Sequence, residues 1–252
     1  MKAIAIIPAR YASSRFPGKP LADLGGRPVI EWVYTGVCGI DGIDEVCVAT
    51  DDERIAEAVR RFGGVSIMTA GSHRSGTERC GEVVEKLGKE GKHFDVVLNV
   101  QGDEPFVDNT QIATLLSAFG DSTVKIATLA KPITSQEELD SPNNVKVVCR
   151  TNGDALYFSR TPVPYLRECD HAQWFSQHAF LKHIGLYAYR AETLRKITSL
   201  DETPLELCER LEQLRWLENG HPIKVLRTDC DNIGIDTPDD LEAARKKLAE
   251  TK

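Results

Sequence analysis

Along the first half of the chain, short β-branched apolar runs alternate with amphipathic stretches. The runs cover 3–7, 45–50, 65–68 and 96–100, and a segment of helical periodicity follows each one, over 28–37, 55–62, 78–87 and 111–119. That order predicts parallel strands joined by crossover helices. The run Val96-Val97-Leu98-Asn99-Val100 is nearly continuous in its apolarity, as a strand covered on both faces requires. Four helix starts are legible as a hydroxyl residue with an acid three positions on: Thr50 with Glu53, Ser75 with Glu78, Thr203-Pro204 with Glu206, and Thr237-Pro238 with Asp240.

From about residue 124 the rhythm changes. Strands are predicted over 124–129, 145–149, 156–159 and 184–189 with little helix between them, followed by one strong helix over 206–219, a strand over 223–227 and a helix over 238–248. In the 206–219 helix the stripe Leu205, Leu207, Leu211, Leu214 and Leu217 is expected to be buried, turning Glu212 and Gln213 partly away from it. No internal repeat, low-complexity tract or Gly/Ser linker interrupts the chain. The expectation is an α/β fold in one domain, 1–252: an open, mostly parallel sheet with helices on both faces, plus an inserted β-rich lobe.

Composition narrows the function classes. Of 252 residues, 41% are hydrophobic and 27% charged, with only 12 Pro, which describes a globule and not a disordered or fibrous chain. The 31 Lys and Arg against 38 Asp and Glu leave a net charge of −7, a poor balance for gripping a phosphate polymer, so nucleic acid is not an expected partner. No apolar run approaches the ~20 residues that span a bilayer. The apolar opening at 1–7 is too short for a signal-peptide core and ends at Pro8-Ala9-Arg10, so the expectation is a cytoplasmic protein without membrane insertion. Seven cysteines, at 38, 47, 80, 149, 169, 208 and 230, never form a C-x-x-C pair; most are expected to be small buried apolar residues.

Against this acidic background, the loop after the first strand is conspicuous. Pro8-Ala9-Arg10-Tyr11-Ala12-Ser13-Ser14-Arg15-Phe16-Pro17-Gly18-Lys19-Pro20-Leu21 places three cations and no acid within ten positions. Open α/β sheets bind ligands at the carboxyl ends of their strands, and a loop with Gly18 for close approach and Arg10, Arg15 and Lys19 for charge suits a polyphosphate. The alternative is a solvated loop whose cations pair with acids on helices. Neither G-x-x-x-x-G-K-[ST] nor G-x-G-x-x-G is present, which removes the main support for a P-loop enzyme or an NAD-dependent oxidoreductase. Asp103 follows the 96–100 strand with only Gln101 and Gly102 between, and so emerges at the same sheet edge. One or two carboxylates completed by substrate phosphates are the usual setting for magnesium in nucleotide chemistry. Asp236, ahead of Thr237-Pro238, is the second candidate. Turn preference explains Asp103 and helix-end electrostatics explains Asp236 equally well. Glu104 stays outside the metal set.

Taken with Ser75-Gly76-Thr77-Glu78-Arg79, Asn99-Val100-Gln101-Gly102-Asp103-Glu104-Pro105, Tyr157-Phe158-Ser159-Arg160, His183-Ile184-Gly185-Leu186-Tyr187, Glu212-Gln213-Leu214-Arg215 and Gly234-Ile235-Asp236-Thr237-Pro238, the basic loop resembles the sugar-nucleotide cytidylyltransferases. The likeness is closest to the 3-deoxy-manno-octulosonate (Kdo) cytidylyltransferase family and covers essentially the whole chain. It implies a fold of the nucleotide-diphospho-sugar transferase type and transfer of CMP from CTP to the anomeric hydroxyl of Kdo, giving CMP-Kdo and pyrophosphate for lipopolysaccharide biosynthesis. A related acidic sugar, such as an 8-amino Kdo analogue or a sialic acid, is the nearest alternative; a non-catalytic nucleotide-sugar sensor is the alternative of another class.

The resemblance also implies roles. Arg10, Arg15, Lys19 and Asp103 are catalytic, Asp103 and Asp236 hold Mg2+, and Pro8, Ala9, Arg10, Ser14, Arg15, Lys19, Arg74, Ser75, Gly76 and Gln101 bind CTP. Gln101, Arg160, His183, Tyr187, Glu212 and Gln213 surround the acidic 2-keto sugar. For Ser75 and Glu78 a capping box is a complete explanation without any ligand. Likewise Tyr187 fits an apolar strand, His183 a satisfied histidine and Gln213 a wet helix face. Relatives of this kind are homodimers associating through the inserted lobe, here about 132–180.

Overall fold

The computed structural model describes residues 1–12, 16–231 and 234–250. In chain order the elements are β1 (Ala3–Ala9), β2 (Asp23–Leu24), β3 (Arg27–Pro28), α1 (Val29–Val37), β4 (Glu45–Thr50), α2 (Glu53–Arg61), β5 (Ser66–Met68), α3 (Gly76–Lys89), β6 (Val96–Asn99) and α4 (Asn109–Ala118). They continue as β7 (Ile126–Pro132), α5 (Gln136–Asp140), β8 (Lys146–Cys149), β9 (Ala155–Ser159), α6 (Trp174–Gln177), β10 (Leu181–Arg190), α7 (Ala191–Ile197), α8 (Pro204–Glu209), α9 (Glu212–Glu218), β11 (Ile223–Arg227) and α10 (Pro238–Glu250). The chain divides into two compact units. One comprises Met1–Ala113, Tyr189–Thr198 and Asn232–Lys252; the other comprises Thr114–Ala188 and Ser199–Asp231.

In the first unit β1 lies between β6 and β4, all parallel, and β5 extends the sheet beyond β4. Its register sets Ile6 opposite Cys47 on one side and Asn99 on the other. Ile4, Ala5, Ile6 and Ile7 are all buried, so both faces of the strand are covered. The helices supply that cover: α1 buries Val29, Ile30, Val33 and Val37, α2 buries Ile55, Ala56 and Val59, and α3 buries Cys80, Val83, Val84 and Leu87. Burying a side chain of this size contributes about 1.5–3 kcal/mol, so the apolar spacing alone accounts for the seating of these helices. This is the open parallel sheet that the alternation predicts.

The second unit pairs β7 with β11 in parallel and builds β8 antiparallel on both β9 and β10. The segment 132–180 falls wholly inside it. It contains more helix than expected, since α5 and α6 bring Leu139 and Trp174 into a small core with Ile133 and Phe180.

Three expectations are corrected. The helix after β4 is capped by Asp52, whose carboxylate accepts from the Arg54 N–H at 3.0 Å; Thr50 is still paired in the sheet with Met68 and uses its hydroxyl to accept from the Asp52 N–H. The single helix over 206–219 is two helices, because Arg210 takes a left-handed conformation (φ 54°, ψ 48°) and Leu211 is extended. That break leaves Leu205 and Leu207 exposed while Leu211 and Leu214 are buried, so the expected stripe does not exist and Gln213 is buried instead of wet. Among the cysteines only Cys47 and Cys80 are buried. Cys38 and Cys208 are exposed and Cys149, Cys169 and Cys230 intermediate, because these five fall at helix ends, strand edges and loops. The other three starts hold: Ser75 accepts from Glu78 N–H, the Thr203 N–H donates to the Glu206 carboxylate at 3.3 Å, and Thr237 and Asp240 bond each other.

Candidate active site

The carboxyl edge of the first unit's sheet brings together segments far apart in sequence. A Cβ added to Gly102 would lie 2.6 Å from the Pro8 carbonyl oxygen, so the turn after β6 rests directly on the end of β1, and only glycine permits that approach. Gly76, first residue of α3, is similarly close to Pro8, with its virtual Cβ 3.2 Å from the proline Cγ and 3.5 Å from Asn99 Nδ2. Pro8, Gly76, Asn99 and Gly102 therefore form one floor. Ala9 is buried beside it, and Gln101 begins the turn by accepting from the Glu104 N–H at 3.3 Å.

Above that floor the basic loop closes on itself. Gly18 is left-handed (φ 73°), its N–H donates to the Tyr11 carbonyl at 2.8 Å, and the Tyr11 ring packs over it. The Arg54 guanidinium, held bidentately by Asp52, covers the Tyr11 ring at 3.3 Å. Lys19 then starts a short 3-10 turn, and its Nζ lies 2.6 Å from Asp103 Oδ2 and 3.2 Å from Asp236 Oδ1. The Asp103 carbonyl also accepts from the Ile235 N–H at 2.8 Å, which ties the segment carrying Asp236 to the turn after β6. Lys19, Asp103 and Asp236 are thus one cluster. Ser14 and Arg15 lie outside the described residues.

Arg10 donates to the His73 carbonyl. Burial, followed by repulsion from Arg79, lowers its guanidinium from the ordinary value, with Asp51 and Glu78 opposing; an arginine still keeps its charge. Arg74 spans Glu78 with both side-chain and main-chain N–H groups, at 2.7–3.1 Å. Burial alone would raise the Glu78 carboxyl, but these bonds hold it below its usual value. The same opposition holds Glu82 at about 2: burial raises it, while Lys86, the Ala70 N–H and His73 outweigh burial. The turn 73–75 and the first residues of α3 are therefore tied together by side-chain hydrogen bonds. Arg79 escaped the sequence reading as a separate feature. It is fully buried in α3, donates to Thr69 Oγ1 at 2.7 Å, and its Nη2 lies 3.0 Å from Asp51 Oδ1, clamping the loops after β4 and β5. Its only signal was an arginine in the apolar register of a helix.

Two carboxylates already drawn to one cation are a donor set of hard oxygens, which fits Mg2+ as one or two protein ligands completed by phosphate and water. Among the described residues no group of three or more His, Cys, Asp and Glu forms a metal cage of its own.

The second unit gathers most of the residues expected around the sugar. His183 packs against Phe158 and Tyr187, with ring centroids 5.0 and 5.3 Å away, and its Nε2 is 3.0 Å from Thr128 Oγ1. Burial drives His183 down to about 3, so its imidazole is neutral at physiological pH. Burial, and next the charge of Glu212, holds the Tyr187 phenol well above its ordinary range. Tyr187 also packs edge-on against Trp216 at 5.3 Å, and the charge of Glu212 from the same helix as Trp216 reaches its phenol, so His183, Tyr187 and Glu212 share one corner of β10 and α9. Gln213 is buried on the same helix. Arg160 behaves differently: Nε, Nη1 and Nη2 donate to the carbonyls of Glu209, Pro142 and Arg210.

Comparison with known proteins defines the class to which this arrangement belongs. A family model described as cytidylyltransferase matches residues 4–225, and the chain belongs to that family. It is 54% identical, over 99% of both chains, to the 3-deoxy-manno-octulosonate cytidylyltransferase of Parabacteroides distasonis, and 53% identical, over 98% of both, to that of Bacteroides thetaiotaomicron. A solved CMP:2-keto-3-deoxy-manno-octonic acid synthetase complexed with CTP superposes with a TM-score of 0.91 at 42% identity, covering 100% of each chain.

Proposed function

We propose that this chain transfers CMP from CTP to the anomeric hydroxyl of Kdo, releasing pyrophosphate and forming CMP-Kdo. The observation that carries the reading is the convergence of Lys19 on Asp103 and Asp236, which joins a basic phosphate arm to two oxygen ligands at the carboxyl edge of the sheet.

Arg10, Arg15 and Lys19 take the triphosphate, and the turn at Arg74, Ser75 and Gly76 takes the cytosine, with Pro8, Ala9, Ser14 and Gln101 completing the nucleotide contacts. In the reaction the C2 hydroxyl oxygen of the sugar forms a bond to the α-phosphorus, the α–β bridging P–O bond breaks, and the hydroxyl proton is lost to the medium. No group on the chain needs to become covalently attached. Mg2+ held by Asp103 and Asp236 would supply charge neutralisation at the α-phosphate. The chain's own contribution is orientation and cation placement, the terms that dominate phosphoryl-type transfer. Lys19 is aligned by two carboxylates, and its ammonium is assigned to the charge that accumulates on the departing phosphates.

The sugar is assigned to His183, Tyr187, Glu212 and Gln213 of the second unit. Neutral His183 and neutral Tyr187 offer hydrogen bonds to hydroxyls without adding charge beside the sugar carboxylate. Glu212 and Gln213 offer acceptors and an amide donor to the remaining hydroxyls. The lobe 132–180 is assigned to homodimer formation, and the enzyme to the cytoplasm, where its product enters lipopolysaccharide biosynthesis. No helix among the described residues is long and apolar enough to cross a membrane.

A pyrophosphate-release screen crossing the four common nucleoside triphosphates with Kdo, its 8-amino analogue and a sialic acid, with and without Mg2+, tests the reading. Release with CTP and Kdo alone, dependent on Mg2+, is expected. Preference for another acid would replace the sugar, and tight binding without release would make the protein a sensor.

A further inference from the structure

Glu209, the last residue of α8, collects the polar groups of one sequence motif. Its Oε1 accepts from Ser159 Oγ at 2.7 Å and from the Tyr157 hydroxyl at 3.5 Å, and its Oε2 accepts from the Arg160 backbone N–H at 3.0 Å. The polar groups of Tyr157-Phe158-Ser159-Arg160 therefore converge on a carboxylate 49 to 52 positions away. Arg160 returns the bond: its Nε donates to the Glu209 carbonyl at 2.7 Å and its Nη2 to the Arg210 carbonyl at 3.4 Å. Those two carbonyls are orphaned by the end of α8 and find their partner here. The Arg160 carbonyl is fixed from behind by the buried Lys146 ammonium at 2.8 Å, which also binds the carbonyls of Ser141 and Asn144 at 2.9 and 2.8 Å.

What this network clamps is the left-handed residue Arg210 (φ 54°), a conformation unfavourable for any residue with a Cβ. Glu212 and Gln213 follow within three residues, at the start of α9. A change in the φ/ψ of Arg210 swings α9 relative to α8 and so re-aims both side chains. Glu206 and Arg215, bonded bidentately at 2.6 and 2.7 Å, hold the two helices together but leave the turn between them to Glu209.

We propose that Glu209 is a positioning residue for the acidic sugar: it locks the left-handed turn at Arg210 and so sets the aim of Glu212 and Gln213. The proposal rests on the assignment of those two residues to the sugar. It gives the Tyr157–Arg160 motif a role as the seat of the α8–α9 turn, and it makes Arg160 a splint across that turn.

Steady-state kinetics of full-length Glu209→Gln provide the test. The amide keeps the size of the carboxylate but has one acceptor oxygen, so either the Ser159 hydroxyl must turn its proton away, towards Thr161 Oγ1, and accept from the amide, or an N–H2 faces the Arg160 N–H. The KM for Kdo is expected to rise about tenfold or more, with the KM for CTP and kcat within about twofold of the parent, because a displaced side chain costs positioning at one substrate only. Ser159→Ala, which removes one of the donors, is expected to raise the same constant by less. An unchanged Kdo KM in folded Glu209→Gln, or CTP and Kdo constants rising in parallel, overturns the proposal. Should Glu209→Gln not fold, an unchanged Kdo KM in Ser159→Ala overturns it equally. Glu212→Gln and Gln213→Ala run alongside. If neither raises the Kdo KM, the sugar assignment itself fails; if they raise it and Glu209→Gln does not, only the positioning role fails.

Discussion

At the scale of single residues, charge placement decides more than charge count. The net −7 says little about a cationic site, yet Lys19 meets two aspartates 84 and 217 positions away within hydrogen-bond range. Replacing Lys19 by Met keeps the stem and removes the ammonium. Turnover with CTP is expected to fall about 100-fold or more, the usual consequence of deleting one preorganised group opposite developing charge. The thermal midpoint should stay near that of the parent; turnover comparable to the parent would remove Lys19 from the mechanism. His183 supports a pH prediction. An unfolded histidine titrates near 6.5, and the folded one is pushed down to about 3, so between these values the unfolded chain binds the extra proton. Stability is therefore present in full above pH 6.5 and declines as pH is lowered through that window. Denaturant midpoints measured between pH 7 and pH 5 should fall, and His183→Gln should flatten the decline. Glu82, held at about 2, contributes its stability in full across that window and loses it only as pH falls below about 4.5.

Elements follow local rules until a distant side chain overrides them. The strands and helices that the alternation predicts in the first unit lie within a few residues of those observed, because a parallel sheet with crossover helices imposes two simple periods on its sequence, while α7 and the two-residue strands β2 and β3 are too short to show a period and are not predicted. Misreading came where an interaction outside the window ruled. The 206–219 segment has the periodicity of one helix, but Arg160, just after β9, takes the carbonyls at Glu209 and Arg210 and ends α8 there. Nothing inside 204–218 announces that break. Thr50 looked like a cap because cap and strand-end hydroxyls are indistinguishable without the sheet partner Met68. The junction of β1 and β6 yields a sharper test. Gly102→Ala would set a methyl 2.6 Å from the Pro8 carbonyl oxygen. Since backbone must move to relieve it, destabilisation of about 1–3 kcal/mol is expected by denaturant titration. Turnover should fall with it, because Asp103 is the next residue. A Gly102→Ala protein as stable and active as the parent would show that the two loops part freely.

For the whole molecule, the expected homodimer is the remaining prediction: sedimentation equilibrium at micromolar concentration should give twice the chain mass, and a monomer at all concentrations would reject the role given to 132–180. Recognition of family and chemistry needed only the sequence, because the motifs that carry them are short, ordered and specific, and the 54% identity to a named cytidylyltransferase agrees with that reading. Fold class was equally accessible, since the hydrophobic period is written locally along each element. Tertiary structure alone decided which candidates share a place. It brought Lys19 to Asp103 and Asp236, gathered His183, Tyr187 and Glu212 into one corner, and spent the Arg160 guanidinium on backbone carbonyls. The physical reason is range: side-chain period and capping are settled within a few residues, whereas hydrogen-bond partners and burial are settled by whatever the folded chain brings alongside.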